Sequence, residues 1–290
     1  MRSGRRRATL GSRTATARRI ASVRDRPPGS EGRNIKVSRR AFLLAAAAWP
    51  AACASRLPAA VPAAAPAAAA AVRPPAPGQH WRYRTSDGLS GKPLGVVRES
   101  VAAVGGDVVI ERLLEGSAPG PAEAATSGQA IIEQYGNRPP PAQTLPPEVQ
   151  RPWGLLEMDP HWDLPQIYLE PVPAWPAELR PGWRRFVNTR YTVRAGAAAL
   201  SWQQTTRAEA WEQVTVPAGS FTALRYSQQI VFTHTDWARI HCSREETLWL
   251  APEVGRWVRR TSRGSYYVND TIDTTPYDEE PRNWELMEWS

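Results

Sequence analysis

From Trp183 onward the chain is written as alternating runs cut by turn residues, and that pattern leaves few folds open. Trp211-Glu212-Gln213-Val214-Thr215-Val216 runs into Pro217-Ala218-Gly219-Ser220-Phe221. Pro217 has no N–H for a strand ladder and Gly219 admits the positive φ of a turn, so one strand ends here and another begins. Phe221 to Thr233, Ile240 to Leu250 and Arg256 to Arg263 continue the series, the last two joined by Ala251-Pro252-Glu253-Val254-Gly255 with its own Pro252 and Gly255. Trp183 to Val193 and Ala199 to Thr206 flank a turn at Ala195-Gly196, and Asn283 to Trp289 reads as a closing edge strand.

The same signals run upstream. His80-Trp81-Arg82-Tyr83-Arg84 alternates aromatic and polar residues, and Leu94 to Val104 and Val108 to Leu113 are joined through Gly105-Gly106-Asp107, a hairpin signal. Gln129 to Tyr135 is a further candidate strand. Residues 136–182 are dense in proline and include Trp153, Trp162 and Trp175. Such density excludes long helices and central strands, so an extended segment packing its aromatics onto the sheet is expected. The expected fold is all-β and mainly antiparallel: one barrel-like, half-open barrel or sandwich domain over residues 78–290. Pro77-Gly78 with Trp81 and Tyr83 echoes Pro181-Gly182 with Trp183 and Phe186, a hint of two similar halves.

Ahead of this domain, Ser38-Arg39-Arg40-Ala41-Phe42-Leu43-Leu44 opens an apolar run to Ala52. A basic start, a short apolar stretch and small residues at its end are the parts of an export signal, and the run is too short to span a bilayer. The order, with Arg39, Arg40, Phe42 and Leu43 in place, resembles the twin-arginine motif of proteins exported already folded. Residues 37–52 are therefore expected to be a signal peptide, and residues 1–36 a disordered or spurious upstream extension, with synthesis starting near Val37. Pro50-Ala51-Ala52-Cys53-Ala54-Ser55 resembles a bacterial lipoprotein box, which implies acylation of Cys53. The Ala52-Cys53-Ala54 triplet also suits ordinary cleavage after Ala54. Pro50 departs from the aliphatic residue usual in lipoprotein boxes. Residues 53–77, nearly all Ala, Pro and Val, are expected to be a semi-rigid tether that lifts the domain off the membrane.

The leader also explains the charge. The chain has a net charge of +8, but 13 of its 36 Lys and Arg and only two of its 28 Asp and Glu lie in the first 40 residues. Residues 41–290 carry a net charge of −3, with no basic stripe interleaved with aromatics, so nucleic acid is not an expected partner. If Cys53 is acylated, Cys242 has no disulfide partner, and it is expected to be a buried inert thiol.

VPAGSF at 216–221, WLAPEVGRWVRR at 249–260, the terminal WELMEW and Gly78-Gln79-His80-Trp81-Arg82-Tyr83 resemble an uncharacterised group of bacterial periplasmic β-rich domains. The group implies a fold and an envelope location, not a catalytic residue.

Few residues suggest chemistry. No serine-nucleophile elbow, phosphate-binding loop or dinucleotide motif occurs. His234, Asp236 and His241, beside Cys242, are the candidates for a periplasmic enzyme or metal site. Their spacing matches no zinc pattern, and adjacent strand residues such as His241 and Cys242 point to opposite faces. No metal or cofactor is expected. His80 and His161 read as surface or packing histidines. In Glu245-Glu246 one side chain faces inward and needs a partner, such as Arg225 or Arg259. Twelve of the 13 tryptophans lie beyond the signal, and Trp81, Trp183, Trp211 and Trp249 are candidate ligand-binding residues. The expected function is a lipid-anchored envelope protein facing the periplasm or the cell surface. It would bind an apolar small molecule, a glycan or an envelope protein without catalysis. A structural subunit of an envelope assembly is a further alternative.

Overall fold

The computed structural model describes residues 57–66, 71–115, 142–162, 164–269 and 275–290. Export residues Arg39, Arg40, Phe42 and Leu43, the acylation candidate Cys53 and the candidate strand 129–135 lie outside them. Among the described residues there are thirteen strands and no helix. The first seven are β1 (Val61–Pro62), β2 (His80–Asp87), β3 (Pro93–Val104), β4 (Val108–Glu115), β5 (Gln143–Gln150), β6 (Leu155–Asp159) and β7 (Gln166–Pro173). The others are β8 (Arg184–Thr192), β9 (Leu200–Val216), β10 (Gly219–Phe232), β11 (Arg239–Ala251), β12 (Arg256–Val268) and β13 (Tyr277–Trp289).

Each strand from β2 to β12 pairs antiparallel with its successor, and β13 pairs back to β2. Twelve strands thus close an up-and-down barrel, while β1 adds to the length of β9 that runs past β8. Closure removes the open edges that an antiparallel sheet would otherwise expose.

Alternation builds the wall. Trp81, Tyr83 and Thr85 of β2 are buried, while Arg84 between them is exposed. Arg98, Glu111, Arg185, Arg207, Glu245 and Arg263 are likewise exposed, so the outside of the wall suits water. Inside, Tyr83 stacks on Trp257 with ring centroids 4.0 Å apart and donates to the Trp257 carbonyl at 2.9 Å. Trp81 and Tyr83 are fully buried, and burying a side chain of this size contributes roughly 1.5–3 kcal/mol.

Three expectations need correction. The proline-rich middle does hold wall strands, because Pro146, Pro147 and Pro171 sit where the ladder breaks and Pro173 pairs only at the end of β7. Pairing of β4 with β5 steps from Ile110–Glu148 to Arg112–Leu145, passing over Pro146 and Pro147. Pro171 falls between the paired ends of β7, where Ile167 meets Met158 and Val172 meets Leu156. Second, β13 is no edge strand, since it lies between β12 and β2. Third, the described part of the expected tether lies on the barrel. Ala63 donates to the Trp211 carbonyl at 2.9 Å, Arg73 to the Pro252 carbonyl at 2.8 Å, and Ala60 and Val72 pack on the core. An extended Ala/Pro segment can do this because its carbonyls still accept: Pro58 takes a bond from Arg259 Nη1 at 2.8 Å.

The turns explain their residues. Val216 pairs with Gly219 across Pro217-Ala218, with Gly219 at φ +134°. Gly255, after Pro252, is at φ +77°, and a Cβ there would lie 2.9 Å from the Arg73 carbonyl oxygen. Gly255→Ala is therefore expected to cost about 2 kcal/mol or more in denaturant unfolding, the left-handed penalty plus a backbone clash. Gly105→Ala is the control, as a Cβ at Gly105 meets no atom within 4 Å.

Candidate functional site

Charged residues occupy inward positions. Glu99 lies between Val97 and Val101 on β3, Arg112 follows Ile110 on β4, Glu148 stands on β5, and Arg256 and Arg260 on β12. Each is almost wholly buried. Arg256 grips Glu148 with two bonds of 2.9 and 2.7 Å, and its Nη2 lies 2.7 Å from Glu99 Oε2. Arg112 Nε donates to Glu99 Oε1 at 3.0 Å and its Nη1 to the Pro160 carbonyl at 3.0 Å. Arg260 Nη2 reaches both Glu246 oxygens, at 2.8 and 3.0 Å.

The connection between β6 and β7 adds a histidine. Asp159 Oδ1 accepts from the His161 backbone N at 3.0 Å, a local turn that swings the imidazole inward. His161 Nδ1 then lies 2.8 Å from Asp159 Oδ1 and Nε2 3.2 Å from Glu99 Oε1. Asp159, Glu99, Glu148 and Glu246 thus face Arg112, Arg256 and Arg260, with His161 between two of the carboxylates.

Burial alone would raise the Glu99 carboxyl, but the Arg256 charge, the His161 bond and Arg112 together hold it well below the usual carboxylate range. Asp159 is likewise held low against its burial by the His161 bond and the Arg260 charge. Burial works against the Arg256 cation, yet Glu148 and Glu99 outweigh it and hold its pKa high. Burial also pushes the Tyr83 phenol up.

Beyond His161 a cavity of about 490 Å³ opens at one end of the barrel. His161, Trp162, Arg244, Tyr266, Glu279 and Trp284 form much of its wall. Arg244 points inward from β11, donates to Glu279 Oε2 at 2.8 Å through Nε, and lies 3.2 Å from the Trp162 ring centroid. Arg239 covers Tyr266 at 4.6 Å, and Arg260 lies 5.1 Å from the Trp284 ring. Such cation–ring contacts contribute about 0.5–2 kcal/mol each, more where water is excluded. Trp162 Nε1 and Arg244 Nη1 are buried with no hydrogen-bond partner among the described residues.

The four candidate tryptophans lie elsewhere. Trp81 is in the core, its Nε1 bonded to the Val254 carbonyl at 3.1 Å. Trp211 is buried with Ala208 and Leu224, and Trp183 packs against them. Trp249 donates to Glu212 Oε2 at 2.7 Å. None of the four lines the end cavity.

His234, Asp236 and His241 are not gathered into a centre. His234 Nδ1 accepts from the Asp236 backbone N at 2.9 Å, and Asp236 Oδ1 accepts from the Ala238 N at 3.0 Å, so this pair builds a turn. His241, at φ +51°, turns outward to Tyr267, while Cys242 is fully buried and its thiol is pushed up by burial. Among the described residues no group of three or more His, Cys, Asp or Glu is placed to hold a metal ion.

Glu246 does face inward and Glu245 outward, but the partners differ from those expected. Glu246 pairs with Arg260 and Glu245 with Arg263, because Arg225 and Arg259 stand on the outer side. There Arg225 meets Glu209 and Glu212, and Arg259 meets the Thr215 and Pro58 carbonyls. His80 is a surface histidine near Glu288 at 3.4 Å, whereas His161 is a buried member of the charged cluster. Sequence reading missed His161, but Val97-x-Glu99-x-Val101 and Ile110-x-Arg112 place charges at apolar parity and were a readable sign.

No protein-family model matches the chain, and no curated protein matches it in sequence. Two solved structures resemble it in part. One is a proposed exported protein with a YmcC-like fold from Bacteroides fragilis, at 12% identity and a TM-score of 0.40, covering 76% of this chain and 99% of that one. The other is a proposed lipoprotein from Parabacteroides distasonis, at 12% identity and a TM-score of 0.39, covering 74% and 96%.

Carboxylates held low in the fold stabilise it above the ordinary carboxylate pKa of about 4 and lose that contribution as pH falls towards their folded values. Stability is therefore expected to be level from neutral pH to about 5 and to drop steeply below about 4. Glu99→Gln should lower stability at pH 7 by about 3–5 kcal/mol, by stripping Arg256 and Arg112 of a counter-charge, and should flatten the acid limb. Urea unfolding across pH reads both.

Proposed function

We propose that the chain is a lipid-anchored protein of the bacterial cell envelope whose barrel binds a polar, ring-shaped small ligand, a glycan fragment, in the cavity at its end. Export and anchoring rest on Ser38-Arg39-Arg40-Ala41-Phe42-Leu43 and on Cys53. The observation that carries the ligand class is the cavity wall itself. Trp162, Tyr266 and Trp284 line it, each with a guanidinium against its ring, beside the charged side chains of Arg239, Arg244, Arg282, Asp278, Glu279 and Glu280. Sugars are recognised by such a mixture, apolar ring faces stacking on aromatics while hydroxyls bond to charged neighbours. An apolar chain would strip those charges of water with nothing to replace it. For the same reason a fatty ligand, one of the expected classes, is the weaker choice. The proposed role is binding; His234, Asp236 and His241, the residues expected for chemistry, serve turns and surface.

Two measurements test this reading. Radiolabelled palmitate should enter the wild-type protein in cells and be absent from Cys53→Ser; equal labelling of both would refute anchoring at Cys53. Calorimetry with N-acetylglucosamine oligosaccharides and with oleate is expected to give saturable binding of the sugar. Trp162→Ala should weaken it at least tenfold, about 1.4 kcal/mol. Binding of oleate alone, or sugar binding untouched by that change, would contradict the proposal.

A further inference from the structure

We infer that the barrel docks on the lipid surface with the end that carries the β2–β3, β6–β7, β10–β11 and β12–β13 turns, so that the cavity opens towards the lipid headgroups. The inference rests on anchoring at Cys53.

The first support is chain length. Leu57 sits in a groove of about 330 Å³ formed by Gly91 of the β2–β3 connection and Pro93 at the start of β3 on one side, and by Thr215, Val216 and Pro217 of the folded-over β9–β10 turn on the other. Four residue steps separate Cys53 from Leu57, and a fully extended chain spans at most about 3.6 Å per residue, so the acyl chains enter the bilayer within about 15 Å of that groove. β11 and β12 are 13 residues each, roughly 40 Å of wall at 3.3 Å per residue. The leash is short against the barrel, because residues 57–66 and 71–77 of the segment expected as tether lie along the wall. An anchor this close holds the β2–β3 turn at the membrane.

The second support is what that end displays. In an up-and-down barrel alternate turns share an end. Here Asn269 of the β12–β13 connection donates to the Ala238 carbonyl of the β10–β11 connection at 2.9 Å, and Gly88 donates to the Pro281 carbonyl of β13 at 2.7 Å. Leu89 and Trp237 are 78% and 77% exposed at the tips of two of these turns, with Leu164 and Tyr277 exposed at the other two. At the opposite end Val104, the last residue of β3, is 45% exposed, comparable with Leu164 and Tyr277, so the two ends differ in Leu89 and Trp237. Single exposed apolar residues are ordinary, but two large ones this exposed at turn tips of the same end are not.

The third support is that these tips are braced. Asp87 Oδ1 accepts from Leu89 N at 3.1 Å and Ser90 N at 2.6 Å, which turns the carboxylate into its own loop and Leu89 outward. Around Trp237, His234 and Asp236 do the same through the bonds already described. Leu and Trp are the side chains that gain most at this depth, Trp because its N–H stays at the wet boundary.

The test uses the full acylated chain in vesicles of phosphatidylethanolamine and phosphatidylglycerol. Nitroxide labels are attached at Leu89→Cys, Trp237→Cys and, at the opposite end, Val104→Cys; Cys242 is buried. Collision with oxygen, relative to a water-soluble relaxant, is expected to rise several-fold over the detergent-free Cys53→Ser form at 89 and 237 and to stay unchanged at 104. Solution-like values at all three on palmitate-labelled protein would overturn docking and leave anchoring intact. Shielding of 89 and 237 from both relaxants would assign that end to a protein partner and also overturn the lipid assignment. Absence of palmitate from the wild type would sink anchoring and docking together.

Discussion

A guanidinium sealed inside a barrel must find its counter-charges on other strands, and Arg256 finds them on β5 and β3. Neither strand neighbours β12, so the bonds to Glu148 and Glu99 cross the bore rather than run along the wall. An isolated ion costs several kcal/mol to bury and is tolerated only when its partners are fixed. The cluster therefore ties the register of strands far apart in the sheet to one arrangement. Gln150 extends it, donating to Glu148 Oε1 at 2.6 Å and accepting from Gly154 N at 2.7 Å, so the β5–β6 turn is held by the same charges. His161 joins this cluster to the cavity beyond it, because one face of the turn serves Asp159 and Glu99 while the next residue, Trp162, lines the opening.

The all-β antiparallel barrel was legible in the chain because its signals are local: alternation in β2, two-residue turns such as Pro217-Ala218, and the hairpin at Gly105-Gly106. What was not legible depends on partners far apart in sequence. Alternation alone faces Glu246 inward, yet nothing local selects Arg260 over Arg225 or Arg259, since that choice is set by the register of β11 against β12. Proline density in residues 136–182 argued against wall strands, but strands need only the groups that pair, and ladder breaks fall on Pro146, Pro147 and Pro171. His161 carried no motif, only a place two residues after Asp159. Tryptophan count pointed to aromatic binding residues without saying which; the core claims Trp81, while Trp162 and Trp284 reach the cavity.

A barrel filled with ion pairs has little room for a ligand in its bore, which is why the proposed binding falls to the end cavity. The small pocket among Glu148, Asp159, Glu246, Arg256 and Arg260 measures about 20 Å³, space on the order of a single water. The larger cavity forms where the strands splay past the cluster, and it borrows from it: Arg260 serves Glu246 on one side and the rings of Trp162 and Trp284 on the other. One end of the barrel thus carries both the cavity and the braced apolar tips, while the charged wall between the ends faces water.

The most direct test of this account is a double-mutant cycle on the pair that crosses the bore. Arg256→Met and Glu148→Leu are each expected to cost about 3–5 kcal/mol in denaturant unfolding, because each strands a buried charge. The double variant should recover at least ~2 kcal/mol of their sum, since neither charge is then left alone. Costs that simply add would mean the two residues do not depend on each other, and the cluster would no longer be what holds the barrel in register.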